Sequence, residues 1–358
     1  MTAPLQLALS NADRALARLD GAALILPNPE LFVYAFMRQE AVLSSQIEGT
    51  QSSLDDLFEY EAQPEGVETT ADIIEVVHYI EAMNWGLSQL DKLPVCLRLV
   101  RGLHALLLRE GRGANRMPGE FRVNQNFIGP PKSRIEEATY VPPAVPEMVE
   151  ALDDWEKFIH ESRDLPPLIK AALAHAQFET IHPFMDGNGR LGRMIITFLL
   201  CSEKILQRPI LYLSLYFKQN RSEYYTRLQA IRDEGDWEEW IRFFLNGVTA
   251  TSVAALNTAQ RILTLRERLS LAAQRDMRST KAPALSFLLF QHPYITVTRA
   301  ATLIGATYPT ANSVIGEFAD HGYLEKLGEV RRGRIYAFRP YLQILREGAS
   351  DLSGNPAR

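Results

Sequence analysis

The densest concentration of reactive side chains lies in Thr180 to Arg193, TIHPFMDGNGRLGR, where one histidine, one aspartate, three glycines and two arginines share a short loop and the start of a helical pattern. Such a junction presents unpaired backbone N–H groups and the positive end of a helix dipole. Gly187, Gly189 and Gly192 allow the chain to turn those donors toward an anion without side-chain clash. Arg190 and Arg193 are three residues apart and share one face of the first helical turn, so both can address one polyphosphate. Asp186 offers a hard oxygen to magnesium, an ion that uses one or two carboxylates plus substrate phosphates. His182, with an unperturbed pKa of roughly 6.5, can take a proton from an attacking hydroxyl at neutral pH. The set describes phosphoryl or nucleotidyl transfer.

Two other phosphate signatures are excluded. Gly187, Gly189 and Gly192 satisfy G-x-G-x-x-G, but a dinucleotide turn needs a preceding strand. Here Pro166 and Pro167 suit a helix start, and PPLIKAALAHAQFET has helical spacing. The G-x-x-x-x-G-K-[ST] pattern of a P-loop is absent.

HPFMDGNGRLGR resembles the Fic motif, His-x-Phe-x-Asp/Glu-Gly-Asn-Gly-Arg-x-x-Arg, with every fixed position filled. The resemblance implies a protein adenylyltransferase that moves AMP from ATP to a Tyr, Thr or Ser hydroxyl of a protein, with Mg2+ present. It implies His182 as general base and Asp186 as metal ligand. It also implies Gly187, Asn188 and Gly189 as an anion hole, with Arg190, Gly192 and Arg193 completing the ATP site. The acceptor is a protein, with the chain itself one candidate.

The resemblance extends in both directions. SSQIEGT carries Ser44, Glu48 and Gly49, matching the family's inhibitory pattern Ser/Thr-x-x-x-Glu-Gly/Asn on a helix ahead of the core. A Glu48 carboxylate paired with Arg193 would occupy the guanidinium otherwise used for the γ-phosphate and misalign the α-phosphate. The segment from Phe121 to Pro143 is similar to the family flap, which adds the target's backbone as a strand. Phe127, Ile128, Gly129, Thr139, Tyr140 and Val141 are its docking candidates. RSEYYTRLQAIRDEGDW resembles the part that lines the adenine and ribose pocket, with Tyr224 and Tyr225 as contacts. Arg232 stands where many members carry Asn, a departure that bears on base selectivity. Transfer of another phosphate-linked group, removal of AMP, and a DNA-binding regulator whose Fic core senses nucleotide are the alternative readings.

These residues need a frame to hold them. Apolar spacing of three and four predicts helices through 31–57, 71–87, 98–110 and most of 145–248, giving a mainly α fold: a helical bundle core with a small β-hairpin flap. Gly111 and Gly113 are expected to close the helix before the flap. The organisation expected is an N-terminal helical region over 1–110, with the inhibitory helix near 40–50, and a catalytic core over 111–250. A connecting helix over 251–282, a C-terminal winged helix-turn-helix over 283–345 and a tail over 346–358 follow. In the winged unit PTANSVIGEFADHGYL is the recognition helix and VRRGR the wing, bringing Arg331, Arg332 and Arg334. Glu317 and Asp320 on that helix leave DNA binding open but not favoured over packing or partner binding.

Composition agrees with a soluble enzyme. The 358 residues hold 38 Lys and Arg against 43 Asp and Glu, a net charge of −5 that removes a whole-chain case for nucleic-acid binding. Cys96 and Cys201 lie in apolar stretches without metal-ligand spacing and are expected as buried thiols of a reducing compartment. The first residues lack the pattern of a secretory signal. The longest apolar run, Met194 to Cys201, is far short of the roughly 20 residues that span a bilayer. A cytoplasmic location is expected, and a homodimer is left open.

Overall fold

A computed structural model describes residues 1–25, 29–62, 70–130, 133–327, 334–349 and 352. Helix α1 (Ala3–Ile25) is followed by α2 (Pro29–Ile47), which buries Leu31, Phe32, Ala35, Phe36 and Ile47 together with the polar Glu40 and Ser44. The helix expected to run on to residue 57 stops here, because Gly49 takes a φ of +103° and turns the chain. Ser53 and Asp56 then cap each other to start α3 (Leu54–Ala62). The expected break at Pro64 and Gly66 lies outside the described residues.

Helix α4 (Ala71–Gln89) begins at Thr70, whose side chain accepts from the Ile73 N–H, and packs on α5 (Leu97–Leu107). Helix α5 ends before Gly111 and Gly113, contrary to expectation. Leu108 folds into the core at 1% exposure and draws the chain off the helix axis. An irregular stretch leads to α6 (Val145–Glu161), α7 (Pro167–Ile181) and α8 (Asn188–Ser202), with α7 packed against both neighbours. Helix α8 buries nearly its whole surface, so it is the centre of the bundle. Short α9 (Ser214–Gln219) and α10 (Arg221–Glu234) close the core.

Helix α11 (Trp237–Arg275) runs unbroken for 39 residues. The expected boundary near residue 250 therefore falls inside a helix, and the expected connecting segment is a spine. Its Thr258, Ala259, Ile262, Leu265 and Leu269 are buried, with α1 laid along it. No proline or late glycine interrupts 248–275, so nothing in the chain ends the helix there.

Beyond the spine come α12 (Ala282–Leu288), β1 (Tyr294–Thr296), α13 (Val297–Ile304), α14 (Tyr308–Asp320), β2 (Glu325–Leu327), β3 (Ile335–Ala337) and α15 (Arg339–Gly348). The strands form an antiparallel sheet in the order β1-β3-β2, with Ile295 opposite Tyr336 and Lys326 opposite the same residue on the other side. Arg331 and Arg332 lie outside the described residues, as does most of the 346–358 tail. This unit is fixed to the body. The Tyr294 hydroxyl donates to Asp55 at 2.8 Å, Arg346 pairs with the same carboxylate, and the Gln39 amide donates to Leu345 O at 2.7 Å.

The two cysteines are free and half-buried rather than core thiols: Cys96 caps α5 and Cys201 sits in the last turn of α8. No described helix is long and apolar enough to cross a membrane.

Candidate active site

The loop between α7 and α8 is fastened from several sides. His182 closes α7 in a left-handed conformation, φ 50° and ψ 58°, which costs a non-glycine residue on the order of 1–2 kcal/mol. Its carbonyl accepts from Arg122 Nε at 3.1 Å and Asn126 Nδ2 at 3.3 Å, and the Arg122 N–H donates to Pro183 O at 2.9 Å. Asn188 uses its side chain on Phe184, accepting from its N–H and donating to its C=O, both at 2.9 Å. With 2% exposure, the Asn188 side chain is engaged in bracing the loop.

Gly187 caps α8 with a φ of +78°, and its N–H donates to Asp186 Oδ1 at 2.6 Å. The Asp186 carbonyl accepts from His104 Nε2 at 3.1 Å. His104 Nδ1 in turn accepts from the Gly119 N–H at 2.8 Å, which fixes the tautomer. Burial pulls His104 down to about 4, keeping it neutral as a strut, and its ring stacks on Phe184 at 3.7 Å. The Asp186 side chain remains 42% exposed.

The first turn of α8 meets two carboxylates. A methyl built on Gly189 would lie 2.2 Å from Glu48 Oε1 and 3.0 Å from Arg193 Nη1. The Glu48 carboxylate thus rests against the bare Cα at the positive end of α8. Arg193, 2% exposed, donates through Nε to Ser44 Oγ at 2.8 Å, and through Nη2 to Ser44 O at 2.9 Å and Glu48 Oε1 at 2.7 Å. Burial works to raise the Glu48 pKa, but the Arg193 guanidinium outweighs it and holds the carboxyl below its usual range. Two turns back from Glu48, Glu40 anchors α2 by accepting from the Tyr79 hydroxyl at 3.2 Å and from Ser214 Oγ at 2.5 Å.

On the other side, a methyl on Gly192 would come within 2.5 Å of Glu179 Oε1. That oxygen is buried without a hydrogen-bond partner among the described residues, and burial lifts the Glu179 carboxyl to about 7. Arg193 Nη1 and Arg190 Nε are likewise buried and unpartnered.

Several expected residues sit differently. Arg190 is 4% exposed and pairs with Glu75 at 3.1 Å, and Glu75 is held in turn by Arg112 at 2.6 Å. The Arg190 guanidinium also lies 3.8 Å from Asp186, whereas Arg193 is engaged by Ser44 and Glu48. The two tyrosines part company. Tyr224, 1% exposed, hydrogen-bonds His175 Nε2 at 2.9 Å and stacks on Phe217, so it belongs to the core, while Tyr225 is 41% exposed. His175, neutral with its pKa pulled down to about 3 by burial, was not singled out by spacing.

The flap is a single β-bridge. The Ile128 N–H donates to Tyr140 O at 2.8 Å, and the Tyr140 N–H returns to Ile128 O at 3.1 Å. Gly129, Thr139 and Val141 are exposed while Phe127 and Ile128 are half-buried. Arg232 ties this flap to the last turn of α7, just ahead of the loop: its guanidinium lies 3.8 Å over the Tyr140 ring and donates to Glu179 O at 3.1 Å. The Tyr140 hydroxyl donates to Thr180 O at 2.8 Å. Burial first, then Arg232, pulls the His182 pKa down to about 4, so its imidazole is neutral and able to accept a proton near pH 7.

Residues 6–88, which span α1 to α4 and Glu48, match the Fic/DOC family N-terminal region, and residues 94–200, which span α5 to α8, match the Fic/DOC family. The chain belongs to the Fic/DOC family. It is 32% identical over 158 residues to a protein adenylyltransferase Fic of Drosophila mojavensis and 33% identical to that of Drosophila virilis, in each case over 44% of this chain. Those matches span only 28% and 29% of the relatives' own length. In structure, the chain resembles a Fic family protein from Desulfovibrio desulfuricans, with a TM-score of 0.62 at 17% identity over 94% of this chain and 96% of that one. It also resembles Fic-1 (residues 134–508) from C. elegans, with a TM-score of 0.52 at 19% identity over 70% and 72% of the two chains. These structures share the Fic fold with the mainly helical body described above.

Proposed function

We propose that this Fic/DOC chain is a protein adenylyltransferase that transfers AMP from ATP to a Tyr, Thr or Ser hydroxyl and is held back by Glu48. The observation that carries the reading is the meeting of Glu48, Gly189 and Arg193: a carboxylate rests where a phosphate would engage the α8 N-terminus and its arginine. A neutral His182 stands at the other end of the same loop.

In the reaction, His182 takes the proton of the acceptor hydroxyl as its oxygen attacks the α-phosphorus. The new O–P bond forms as the bond to the β-phosphate oxygen breaks, and pyrophosphate leaves. The backbone donors of the α8 N-terminus stabilise the charge that builds on the phosphoryl oxygens. Arg193, once released by Glu48, holds the terminal phosphates and brings the α-phosphate into line. No group of three or more His, Cys, Asp or Glu side chains among the described residues could cage a metal by itself. The half-exposed Asp186 carboxylate suits the alternative of an ion that arrives with the phosphates. Mg2+ bound there would screen the polyphosphate charge. The flap's exposed edge at Gly129, Thr139 and Val141 receives the acceptor's backbone as an added strand.

The test is labelling with α-32P-ATP and magnesium, alone and in cell lysate, for the wild type, Glu48→Gly and the double variant Glu48→Gly with His182→Ala. Label is expected in Glu48→Gly and absent from the double variant. Label surviving His182→Ala would overturn the role of the histidine. No label in any of the three would overturn AMP transfer, leaving another phosphate-linked group or AMP removal to be tested with labelled nucleotides and a modified target.

A further inference from the structure

The C-terminal unit is not used by this chemistry, and its surface has its own pattern. Helices α13 and α14 are joined by a tight turn in which Gly305 takes a φ of +58° and Thr307 caps α14 by accepting from the Thr310 N–H. Helix α14 buries Ala311, Val314, Ile315 and Phe318 against its own unit. Its attachment to the body runs instead through β1, α12 and α15. The outer face of the N-terminal half of α14 is therefore free, and Tyr308, Pro309, Thr310, Asn312 and Ser313 are all exposed on it.

Charge is concentrated in the same unit. Residues 278–349 hold nine Lys and Arg against five Asp and Glu, a net charge of +4, so the remainder of the chain carries −9. The near-neutral total hides an asymmetry of the kind that marks a nucleic-acid contact. Three of the five acids are occupied. Glu317 accepts from the Arg278 and Ser279 N–H groups, Glu325 pairs with Arg339, and Glu347 pairs with Arg261 on the spine. Glu317, which counted against DNA on spacing alone, is thus turned inward. Positive groups remain at the turn before α14 and on α13, which packs against it. Lys281 Nζ bonds Ile304 O and Gly305 O at 3.0 and 3.4 Å, at the turn itself, and Arg299 is exposed near the start of α13.

We propose that this unit binds duplex DNA, with the N-terminal half of α14 in the major groove and Lys281, Arg299 and Arg334 on the flanking phosphates. A helix presented by a helix-turn-helix fits that groove, and small hydrogen-bonding side chains there read base edges: Asn312 suits adenine, while Thr310 and Ser313 are adaptable. A protein partner fits less well. Tyr308, at 52%, is the one large apolar side chain exposed among the described residues of this unit, too little for the apolar core of a protein interface. The inference is independent of the nucleotidyl-transfer reading.

The experiment is fluorescence anisotropy of the full chain with a labelled mixed-sequence duplex at 50 and 200 mM salt, followed by enrichment of bound duplexes from a random pool. About three phosphate contacts predict affinity falling about 40-fold between the two salts, and Arg299→Glu is expected to weaken binding at low salt by about tenfold. Asn312→Ala is expected to lower preference for the enriched sequence by roughly tenfold while leaving mixed-sequence binding nearly unchanged. AMP transfer by Arg299→Glu in the Glu48→Gly background should stay unchanged, which shows that the fold survives. No salt-dependent duplex binding by the wild type, equal affinity for single strands, or wild-type binding by Arg299→Glu would each overturn the proposal.

Discussion

The catalytic loop and the flap lie side by side and are built on opposite principles. Between His182 and Arg193 the chain is braced at several points: Asn188 brackets Phe184, His104 holds Asp186, Arg122 and Asn126 hold the His182 carbonyl, and Glu75 holds Arg190. Among the described residues, the outer flap from Phe127 to Val141 is paired across by one β-bridge and tied to the body by one cation–π contact and one hydroxyl bond, and Gly129, Thr139 and Val141 on it are exposed. On the proposed reading, this difference lets one site meet two demands. Phosphate chemistry needs donors fixed to within a fraction of an ångström. A protein acceptor would be met through main-chain bonds that tolerate many side chains. Arg232 bridges the two regions, bonded to Glu179 O on one side and stacked on Tyr140 on the other.

This contrast can be broken by substitution, all in the Glu48→Gly background. On the rigid side, His182→Ala is expected to lower kcat about 10²–10⁴-fold with little change in KM for either substrate, as loss of a general base does. Asn188→Ala leaves the Phe184 N–H buried and unpaired. It should cost about 1–3 kcal/mol in chemical denaturation and lower transfer by at least about tenfold. A wild-type rate would mean that the loop does not depend on its internal bracing.

Arg232→Gln probes the bridge. Loss of the stacking and of the bond to Glu179 O should raise KM for the acceptor about tenfold while moving that for ATP little. It also removes a cation that depresses the His182 pKa. The base must be unprotonated, so activity is lost as pH falls through its folded pKa, about 4 in the wild type. With Arg232 gone that pKa rises, and the acid limb of the pH–rate profile should move to higher pH. A profile that stays in place would detach Arg232 from His182. The smallest effect is expected from Tyr140→Phe, which loses one hydroxyl bond to Thr180 O and should raise acceptor KM about fourfold.

The parts legible in the sequence were those whose signal is local. His182, Asp186 and Arg193 are spaced along one loop and one helical turn, and Ser44 in the last turn of α2 stands four residues before Glu48 just past its end, so the short pattern already implies that they can meet one ligand. The bracing was not legible because it comes from afar. Arg122, Asn126 and His104 lie 60, 56 and 82 residues from their partners, and Glu75 lies 115 from Arg190, with no spacing that links them. Tyr224 is a different case: with Leu228 and Ile231 it forms the buried stripe of α10, a helical period that separates it from Tyr225. The uninterrupted spine was likewise readable in the absence of a helix breaker after Gly247.

Glu48 is proposed to occupy Arg193 and the α8 N-terminus so that bound ATP cannot react. This inhibition is tested most directly by the initial rate of AMP transfer from saturating ATP in the wild type and Glu48→Gly, with the Kd for ATP measured on the same samples. A rate at least about tenfold higher is expected in the variant, the effect of one recovered phosphate contact, with a Kd changed far less than the rate. Equal rates at saturation would contradict it, because the Glu48–Arg193 pair would then be a structural ion pair with no hold on the chemistry.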